Sequence, residues 1–194
     1  MPAVGRRVPG CVGFHAIQTH LRAILRQEDE LVILRPLRET DFESLYEVAK
    51  DPLIWEQHPC HDRYGKDVYS EFFEDSLESK GALIIIDKLN NKIIGSTRFK
   101  PVRNVENAIE IGWSFLSRNY WGGKYNKSIK KLMIDYAFKS IEDIIFYIGK
   151  DNIRSQKAVE KIGGIRITEQ QFEHLMKNSE TDWTYRINKK DWNN

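Results

Sequence analysis

The chain has 194 residues, of which 41% are hydrophobic and 30% are charged, and its formal net charge is +2. This length fits one globular domain, and a chain of this size buries enough surface to fold without disulfide or metal staples. The composition excludes disordered, collagen-like and disulfide-scaffold classes. The longest apolar run, residues 82–86, is far shorter than the roughly 20 residues that a transmembrane helix needs.

The excess positive charge is confined to the start of the chain. Residues 1–27 hold four arginines and no acidic residue, so the remainder is slightly acidic. A nearly neutral body gives no electrostatic reason to expect nucleic acid or a membrane as a partner. Cys11 and Cys60 are too few and too far apart for a disulfide framework, which favours a reducing compartment and a cytoplasmic location.

Residues 1–30 differ from the rest of the chain. Apolar residues at helical spacing predict a weakly amphipathic basic helix over residues 14–25. The acid-free segment also resembles an organelle transit peptide, although the usual serines are missing. We interpret residues 1–30 as an extension, either a leader or an appended helix, and residues 31–194 as the folded domain.

The first half of the domain is predicted to combine strands with two helices. A Thr-x-x-Glu pattern that begins at Thr40 is typical of a capping box and predicts that this threonine caps the first helix. Asn90 and Asn91 tolerate the positive φ of a tight hairpin turn. The predicted elements are a strand at 31–35, helices ending near 50 and spanning 66–80, and strands at 82–87, 92–99 and 108–116.

In the second half, helices and strands alternate. Apolar residues at i, i+3, i+4, i+7 and i+8 from Ile129 predict a core-facing helix after Gly123. A strand at 143–148, a helix at 152–162 and strands at 165–169 and 181–187 follow. This order predicts a mixed α/β sheet that is antiparallel early and contains a parallel pair late.

The stretch around Gly122-Gly123 has the features of an anion site, because a strand runs into a glycine-bearing loop that opens a helix. Neither a Walker loop nor a dinucleotide fingerprint matches the glycine spacing. The alternative is a glycine-bearing turn beside a solvated lysine face. Five basic residues and no acid occur in this stretch: Arg118, Lys124, Lys127, Lys130 and Lys131.

Four segments in order carry a resemblance to a known family. They are LRPLRETDF (34–42), IEIGW (109–113), YWGGKYN (120–126) and NIRSQKAVEKIG (152–163). From about residue 31 onward the chain resembles the GNAT superfamily of N-acetyltransferases, and within it the branch that includes ribosomal-protein N-terminal acetyltransferases. The resemblance implies a GNAT-like mixed, largely antiparallel sheet flanked by helices, with a splayed parallel pair at the cofactor site.

The resemblance also implies acetyl-CoA as co-substrate. The loop amides would bind the pyrophosphate, and the preceding strand would hydrogen-bond the pantetheine arm and the thioester carbonyl. Lys124 stands where the branch has its second glycine, so Gly123 would take over the close approach. The implied cofactor-binding residues are Trp113, Ser114, Phe115, Leu116, Arg118, Gly122, Gly123, Lys124, Tyr125, Asn126, Asn152 and Ser155.

Two residues are candidates for proton transfer. Glu110 is the candidate base, because the family often carries one on this strand; the alternative is a surface carboxylate paired with a lysine, and Glu106 is a weaker candidate. The family's tyrosine for the departing thiolate falls on Val159, and Ser155 matches a serine used instead. Ser155 and Asn152 have an alternative role as capping groups of their helix.

The acceptor amine should be recognised between the first two helices, at residues 51–64. Trp55, Glu56, His58 and Tyr64 are the candidates to line that pocket. His58, Cys60 and His61 would make a poor tetrahedral metal site, since three donors fall within four residues, so we predict no metal.

These features together predict an acetyl-CoA-dependent N-acetyltransferase in which a primary amine attacks the thioester directly. The acceptor would be a protein N-terminus or a small amine, and the late strands would offer an edge for a homodimer. The alternative is a non-catalytic acyl-CoA-binding or protein-interaction module with the same fold.

Overall fold

The computed structural model describes residues 26–168, 170–175 and 180–192. The helix predicted over residues 14–25 lies outside this part of the chain. The described residues form one eight-stranded sheet with the order β1-β2-β3-β4-β5-β6-β8-β7. The strands are β1 (Gln27–Glu28), β2 (Val32–Pro36), β3 (Ala82–Asp87), β4 (Ile93–Pro101), β5 (Ala108–Leu116), β6 (Asp143–Gly149), β7 (Ile165–Arg166) and β8 (Asp182–Asn188).

Helices flank this sheet and occur close to the predicted positions. They are α1 (Phe42–Ala49), α2 (Lys66–Glu78), α3 (Lys124–Ala137), α4 (Ile153–Glu160) and the short α5 (Lys189–Trp192). Four 3-10 turns lie at Glu39–Asp41, Pro52–Ile54, Arg118–Tyr120 and Gln170–Leu175. Within the described ranges, no helix has the length and hydropathy needed to cross a membrane.

Strands β5 and β6 pair in parallel, whereas the other strand pairs are antiparallel, as the order of elements predicts. Their register runs from Ala108↔Asp143 to Glu110↔Ile145. Beyond this point β6 stays with β8 and β5 stays with β4. The two central strands therefore diverge toward their C-terminal ends.

Each face of the sheet packs against one pair of helices. On the first face, Ile109 and Ile111 pack with residues from α3, from α4 and from the turn after α4: Ile129, Met133, Ile134, Ala137, Val159 and Ile162. On the second face, Ile84, Ile86 and Phe115 pack with residues from α1 and α2: Leu45, Ala49, Tyr69, Phe72 and Phe73. Both faces of the central strands are consequently buried.

A β-bulge interrupts β5 in its second half. The register with β4 changes from Gly112↔Arg98 to Phe115↔Ser96, so Trp113 and Ser114 lie opposite one residue. Trp113 has φ 51°, which is a strained conformation for a bulky side chain. The bulge also reverses the alternation of side chains, and Ser114 and Leu116 therefore point to the α3 face.

The start of α1 differs from the prediction. The helix begins at Phe42 after the 3-10 turn, and the carboxylate of Asp41 accepts the backbone N–H of Arg38 at 2.9 Å. The same carboxylate binds Arg35 in a bidentate pair at 2.7 and 2.8 Å. The prediction that Thr40 caps this helix was wrong, because Thr40 lies inside the 3-10 turn and the N-cap position of α1 falls on Asp41.

The described sheet also extends into residues that precede position 31. Gln27 and Glu28 form β1 and pair with Leu34 and Ile33 of β2. Asp29 then accepts the backbone N–H groups of Leu31 and Val32 through its carboxylate. The last residues of the segment interpreted as an extension are therefore part of the sheet.

The close approach of β4 to β5 predicts a strong effect of Gly95→Ala. A Cβ at Gly95 would lie 2.0 Å from the carbonyl oxygen of Phe115, which is backbone and cannot rotate away. We expect the free energy of unfolding, measured by urea denaturation, to fall by about 3 kcal/mol or more. Gly149→Ala is the control, because its Cβ would meet Pro59 at an ordinary 3.6 Å; equal losses for the two variants would contradict the prediction.

Candidate active site

The divergence of β5 and β6 opens a cleft in the middle of the sheet. Ser114 is exposed although it belongs to a central strand. Past Glu110, the edge of β5 that faces β6 has no strand partner among the described residues. Such an edge offers backbone donors and acceptors to an extended, amide-containing ligand, as an exposed sheet edge does to a peptide.

The glycine loop lies at the start of α3, next to the end of β5. Gly122 has φ 69°, in the left-handed region that favours glycine. Gly123 is the N-cap of α3 and provides no side-chain hydrogen bond to the first turn. The N–H groups of residues 124–126 therefore meet the requirements of an anion site at a helix N-terminus.

Asp87 anchors this loop to the hairpin between β3 and β4. Its carboxylate is buried and accepts the hydroxyls of Tyr120 at 3.0 Å and Tyr125 at 3.3 Å. It also accepts the backbone N–H of Leu89 and the side-chain amide of Asn90. Tyr125 therefore faces away from the anion site and can contribute to it through its backbone N–H.

The loop accommodates Lys124 at the position where the branch has a glycine. Lys124 is the first residue of α3 and is exposed, so its side chain does not obstruct the approach to the N–H groups. A Cβ at Gly123 would have the carbonyl oxygen of Trp121 as its nearest neighbour, at 3.8 Å. The space beside Gly123 is thus open, so Gly123 can allow the close approach of a ligand that the glycine at the position of Lys124 would otherwise allow.

The five predicted basic residues do not all lie at this site. Lys124 and Lys127 are exposed in the first turn of α3. Arg118 donates to Asp51 at 2.6 Å, and Lys131 pairs with Asp135. Lys130 is buried under the sheet rather than exposed beside the loop. The five basic residues therefore do not share one surface, because the local pattern of charges does not show which face of α3 each lysine occupies.

Glu110 lies at the apex of the cleft. It is the last residue of β5 that pairs with β6, and it is half-buried. Since its neighbours Ile109 and Ile111 pack on the α3 face, its side chain points to the opposite face. Burial and the charge of Glu110 raise the pKa of Tyr147, on β6, to about 12. Glu106, the weaker candidate base, is exposed in the turn before β5.

The N-terminus of α4 forms the other side of the cleft. Asn152 is its N-cap, and its side-chain oxygen accepts the backbone N–H of Ser155 at 3.1 Å. The capping role weighed for Asn152 is therefore confirmed. Ser155 is half-buried in the first turn, and Val159, one turn later, is packed in the core.

The segment at residues 51–64 lies over the C-terminal ends of β5 and β6. The ring of Trp55 packs on Phe115 with centroids 5.0 Å apart, and a Cβ at Gly149 would contact Pro59. Arg154 connects the parts: its guanidinium donates to the carbonyl of Ile54 at 2.8 Å and lies 4.1 Å from the ring of Trp121. The position of Arg154 within the Asn-x-x-Ser segment does not by itself predict this role, because both of its partners are distant in the sequence.

The four candidate acceptor residues occupy different environments. Trp55 is 2% exposed and donates its indole N–H to the carbonyl of Ala49, so it is a packing residue. Glu56 is exposed, and its charge acts on Arg154. His58 is half-buried, whereas Tyr64 is exposed near α1, where its carbonyl accepts the hydroxyl of Tyr46.

Trp113 contributes to the cleft through its backbone rather than its ring. Its side chain lies on the α1–α2 face, where the guanidinium of Arg98 is 4.5 Å from the ring centroid and the amine of Lys100 is 5.2 Å from it. Phe115 packs on the same face and Leu116 on the other. Among the described residues, no group of three or more His, Cys, Asp and Glu side chains is placed to hold a metal ion.

The chain matches a relative of unknown activity among curated proteins. It is 27% identical over 177 residues to an uncharacterized protein of Methanocaldococcus jannaschii. The match covers 83% of this chain but 32% of that protein, so the chain spans about a third of its relative's length.

Solved structures show the same fold at low sequence identity. An acetyltransferase of the GNAT family from Bacillus anthracis superposes with a TM-score of 0.68 and 20% identity, covering 86% of this chain and 99% of the other. A probable GNAT acetyltransferase from Chromobacterium violaceum superposes with a TM-score of 0.72 and 17% identity, and the match covers all of both chains. Spermidine N-acetyltransferase from Vibrio cholerae, in complex with CoA and spermine, superposes with a TM-score of 0.64 and 13% identity. The match covers 86% of this chain and 100% of the other.

A family model described as the acetyltransferase (GNAT) domain matches residues 32–165. This range includes the diverging strands, the bulge, the glycine loop and α4. The chain therefore belongs to the GNAT acetyltransferase family.

Proposed function

We propose that this protein transfers the acetyl group of acetyl-CoA to a primary amine by direct attack of the amine on the thioester. The observation that carries the proposal is the cleft between β5 and β6, which combines an unpaired strand edge and a bulge with a glycine loop at a helix N-terminus. These are the features needed to bind an extended arm at one end and a pyrophosphate at the other.

In this proposal the pyrophosphate of acetyl-CoA binds at the start of α3. The loop from Gly122 to Asn126 presents backbone N–H groups, and Lys124 and Lys127 add positive charge at the same end of the helix. Arg118, held by Asp51, lies in the 3-10 turn that leads into the loop. Helix N–H groups and nearby cations both favour a phosphate dianion.

The pantetheine arm and the thioester would lie along the second half of β5. The backbone of residues 113–116 supplies hydrogen bonds there, with Asn152 and Ser155 on the opposite side of the cleft. The bulge turns backbone N–H groups out of the β4–β5 ladder. A fixed N–H donor at this point would stabilise the oxyanion that forms when the amine attacks.

The attacking amine must lose a proton, and Glu110 is placed to take it. A lysine amine (pKa about 10.4) is mostly protonated at neutral pH, whereas an α-amine (about 7.7–8.0) is partly free. The Glu110 carboxylate lies at the apex of the cleft and points to the face covered by residues 51–64. It would accept the proton directly or through a water molecule.

The resemblance of the motifs to the ribosomal-protein branch favours a protein N-terminus as the acceptor. Residues 51–64 hold Arg63 but also Asp51, Glu56 and Asp62, and the charge of Glu56 acts on Arg154, so both signs of charge surround the acceptor segment.

Isothermal titration with acetyl-CoA tests the first half of the proposal. We expect a Kd between about 1 µM and 1 mM, the usual range for substrates. Gly122→Val should weaken binding at least tenfold, since valine disfavours the positive φ of this position. Gly163→Val is the matched control: Gly163 has φ 90° and equally open surroundings, so the strain is similar but the affinity should be unchanged.

Release of free thiol from acetyl-CoA with a panel of amines tests the second half. The panel should contain a short peptide with a free N-terminus, a monoamine and spermidine. We expect the fastest turnover with the peptide. Failure to bind acetyl-CoA at millimolar concentration would contradict the proposal, and binding without turnover of any amine would favour a non-catalytic acyl-CoA-binding module.

Glu110→Gln should lower kcat/KM by about 100-fold to 10,000-fold, the usual contribution of a general base. The Kd for acetyl-CoA should change less than about twofold, because the amide is isosteric with the carboxyl group and the pyrophosphate site is untouched. Glu106→Gln is the control and should keep wild-type rates. If both variants behave alike, Glu110 is not the base.

His58 predicts a loss of stability in mild acid. Burial and the neighbouring Arg63 lower the pKa of His58 from 6.5 to about 4. Between these two pKa values the unfolded chain binds a proton that the folded chain does not. The contribution of neutral His58 to the free energy of unfolding is therefore fully present above pH 6.5 and is lost as the pH falls toward 4. The loss amounts to at most about 3 kcal/mol.

Urea denaturation at pH 7 and pH 4.5 of the wild type and of His58→Asn measures this loss. The variant should lose less stability between the two pH values than the wild type does. His61→Asn, at an exposed position, should follow the wild type. The same pH dependence in all three proteins would show that His58 is not held neutral.

A further inference from the structure

Lys130 occupies an unusual place for a lysine. It lies in the second turn of α3 on the side that packs against the sheet, between the buried residues Ile129 and Met133, and it is 6% exposed. A lysine is almost never fully buried without a partner of opposite charge, because desolvation of the ammonium is costly. Its position therefore requires an explanation other than packing.

The amine of Lys130 lies between the two diverging strands. Its Nζ donates to Ser114 Oγ at 2.6 Å, in the bulge of β5, and is 3.5 Å from Thr97 Oγ1 on β4. On the other side, Nζ is 5.9 Å from the ring centroid of Phe146 on β6. Since Ser114 is exposed in the cleft, the amine lies directly beneath the cleft floor.

The groups that face this amine are uncharged. They are the Ser114 and Thr97 hydroxyls and the Phe146 ring, and no described carboxylate offsets the effect of burial. Burial alone lowers the pKa of Lys130 from 10.5 to about 7. The neighbouring Lys131, by contrast, is exposed and paired with Asp135. Lys130 is thus an amine that can gain or lose a proton near neutral pH.

The reaction proposed above lacks a group that gives a proton to the departing thiolate. Val159 is apolar and packed in the core. Ser155 can donate a hydrogen bond to sulfur, but a serine hydroxyl does not give up its proton at neutral pH. Glu110 points to the other face of the sheet, where the amine approaches. On the α3 face of the bulge, Lys130 is the ionisable side chain that the described part of the chain places in contact with Ser114.

We propose that Lys130 is the general acid of the reaction and protonates the thiolate of CoA as it leaves. This inference rests on the proposed function. The amine nitrogen forms the C–N bond, the C–S bond breaks with its electron pair on sulfur, and the Lys130 ammonium transfers one proton to that sulfur. The products are the acetylated amine, CoA thiol and a neutral Lys130, which regains a proton from solvent, while the proton of the attacking nitrogen passes to Glu110.

The geometry assigns the two proton transfers to opposite faces of the sheet. Glu110 precedes the bulge and points away from the face of Ile109 and Ile111, whereas Ser114 and Lys130 lie on that face, beside α3. Base and acid are thereby kept apart, and neither neutralises the other. An acid with a pKa near the working pH is also the most efficient proton donor.

The first test measures the thiol of bound CoA rather than turnover. Ultraviolet absorbance of the thiolate is followed against pH for CoA bound to the wild type, to Lys130→Met and to the control Lys131→Met, with desulfo-CoA as the blank. A neighbouring ammonium stabilises the thiolate. We therefore expect at least a tenfold larger thiolate fraction at pH 7 in the wild type and the control than in Lys130→Met.

The second test separates charge from proton transfer. Lys130→Met should lower kcat at least about 100-fold, in keeping with the loss of a general acid, with less than a threefold change in the Kd of acetyl-CoA. Lys130→Arg keeps the positive charge but does not release a proton at neutral pH. It should therefore retain the shifted thiol titration and still show the low kcat.

Lys130→Met is expected to fold, because methionine fills a similar space and removes the cost of burying the ammonium. An unchanged thermal unfolding midpoint of Lys130→Met confirms that the comparison is valid. If the midpoint of Lys130→Met falls, Lys130→Gln serves as a second variant. If a variant binds acetyl-CoA and has the thiol titration and kcat of the wild type, Lys130 is not the general acid, and the proposed function is unaffected. Absence of acetyl-CoA binding to the wild type would instead overturn the proposed function.

Discussion

The separation of β5 from β6 is the constraint on which the rest of this structure depends. The two strands share a register from Ala108 to Glu110, after which each follows its antiparallel neighbour on the other side. Backbone N–H and C=O groups are costly to leave unpaired in a protein interior. A sheet that opens at its centre must therefore place those groups in a cleft where water or a ligand can reach them, and Ser114 shows that it does.

Several features of the strands and loops keep the cleft open. The bulge at Trp113 and Ser114 increases the local twist of β5 and turns the strand away from β6. The close contact of Gly95 with the backbone of Phe115 fixes β5 against β4, and Asp87 ties the glycine loop to the β3–β4 hairpin. Arg154 links α4 to residues 51–64 and to Trp121. Each part is thus held in place by contacts within the protein itself.

The sequence predicts the order and type of the elements well, because long apolar periodicities such as that of α3 are set by local spacing. The parallel pair follows from the same order. The bulge is not predictable in this way, since a tryptophan has no preference for φ 51° and its ring contacts Arg98 and Lys100, which belong to another strand. The start of α1 was missed because Asp41 is fixed by Arg35, a contact that local pattern does not show.

In the candidate site, too, features set by local motifs could be predicted and features set by distant contacts could not. The glycine loop, Asn152 and Glu110 could be placed from the motifs, since each lies at the end of an element. Lys130 could not be placed from the motifs, because a lysine in a helix is expected to be exposed. Its burial depends on the gap between two strands that are distant in the sequence. Trp55 was placed in the acceptor pocket for the opposite reason: its loop position concealed its packing against Phe115.

Hydrogen–deuterium exchange with and without acetyl-CoA shows whether acetyl-CoA occupies the cleft between β5 and β6. We expect slower exchange of the backbone amides of residues 111–116 and 124–127 when acetyl-CoA is bound, because these groups gain hydrogen bonds to the arm and the pyrophosphate. Slower exchange confined to other parts of the chain, or no change at saturating acetyl-CoA, would show that acetyl-CoA does not bind in this cleft.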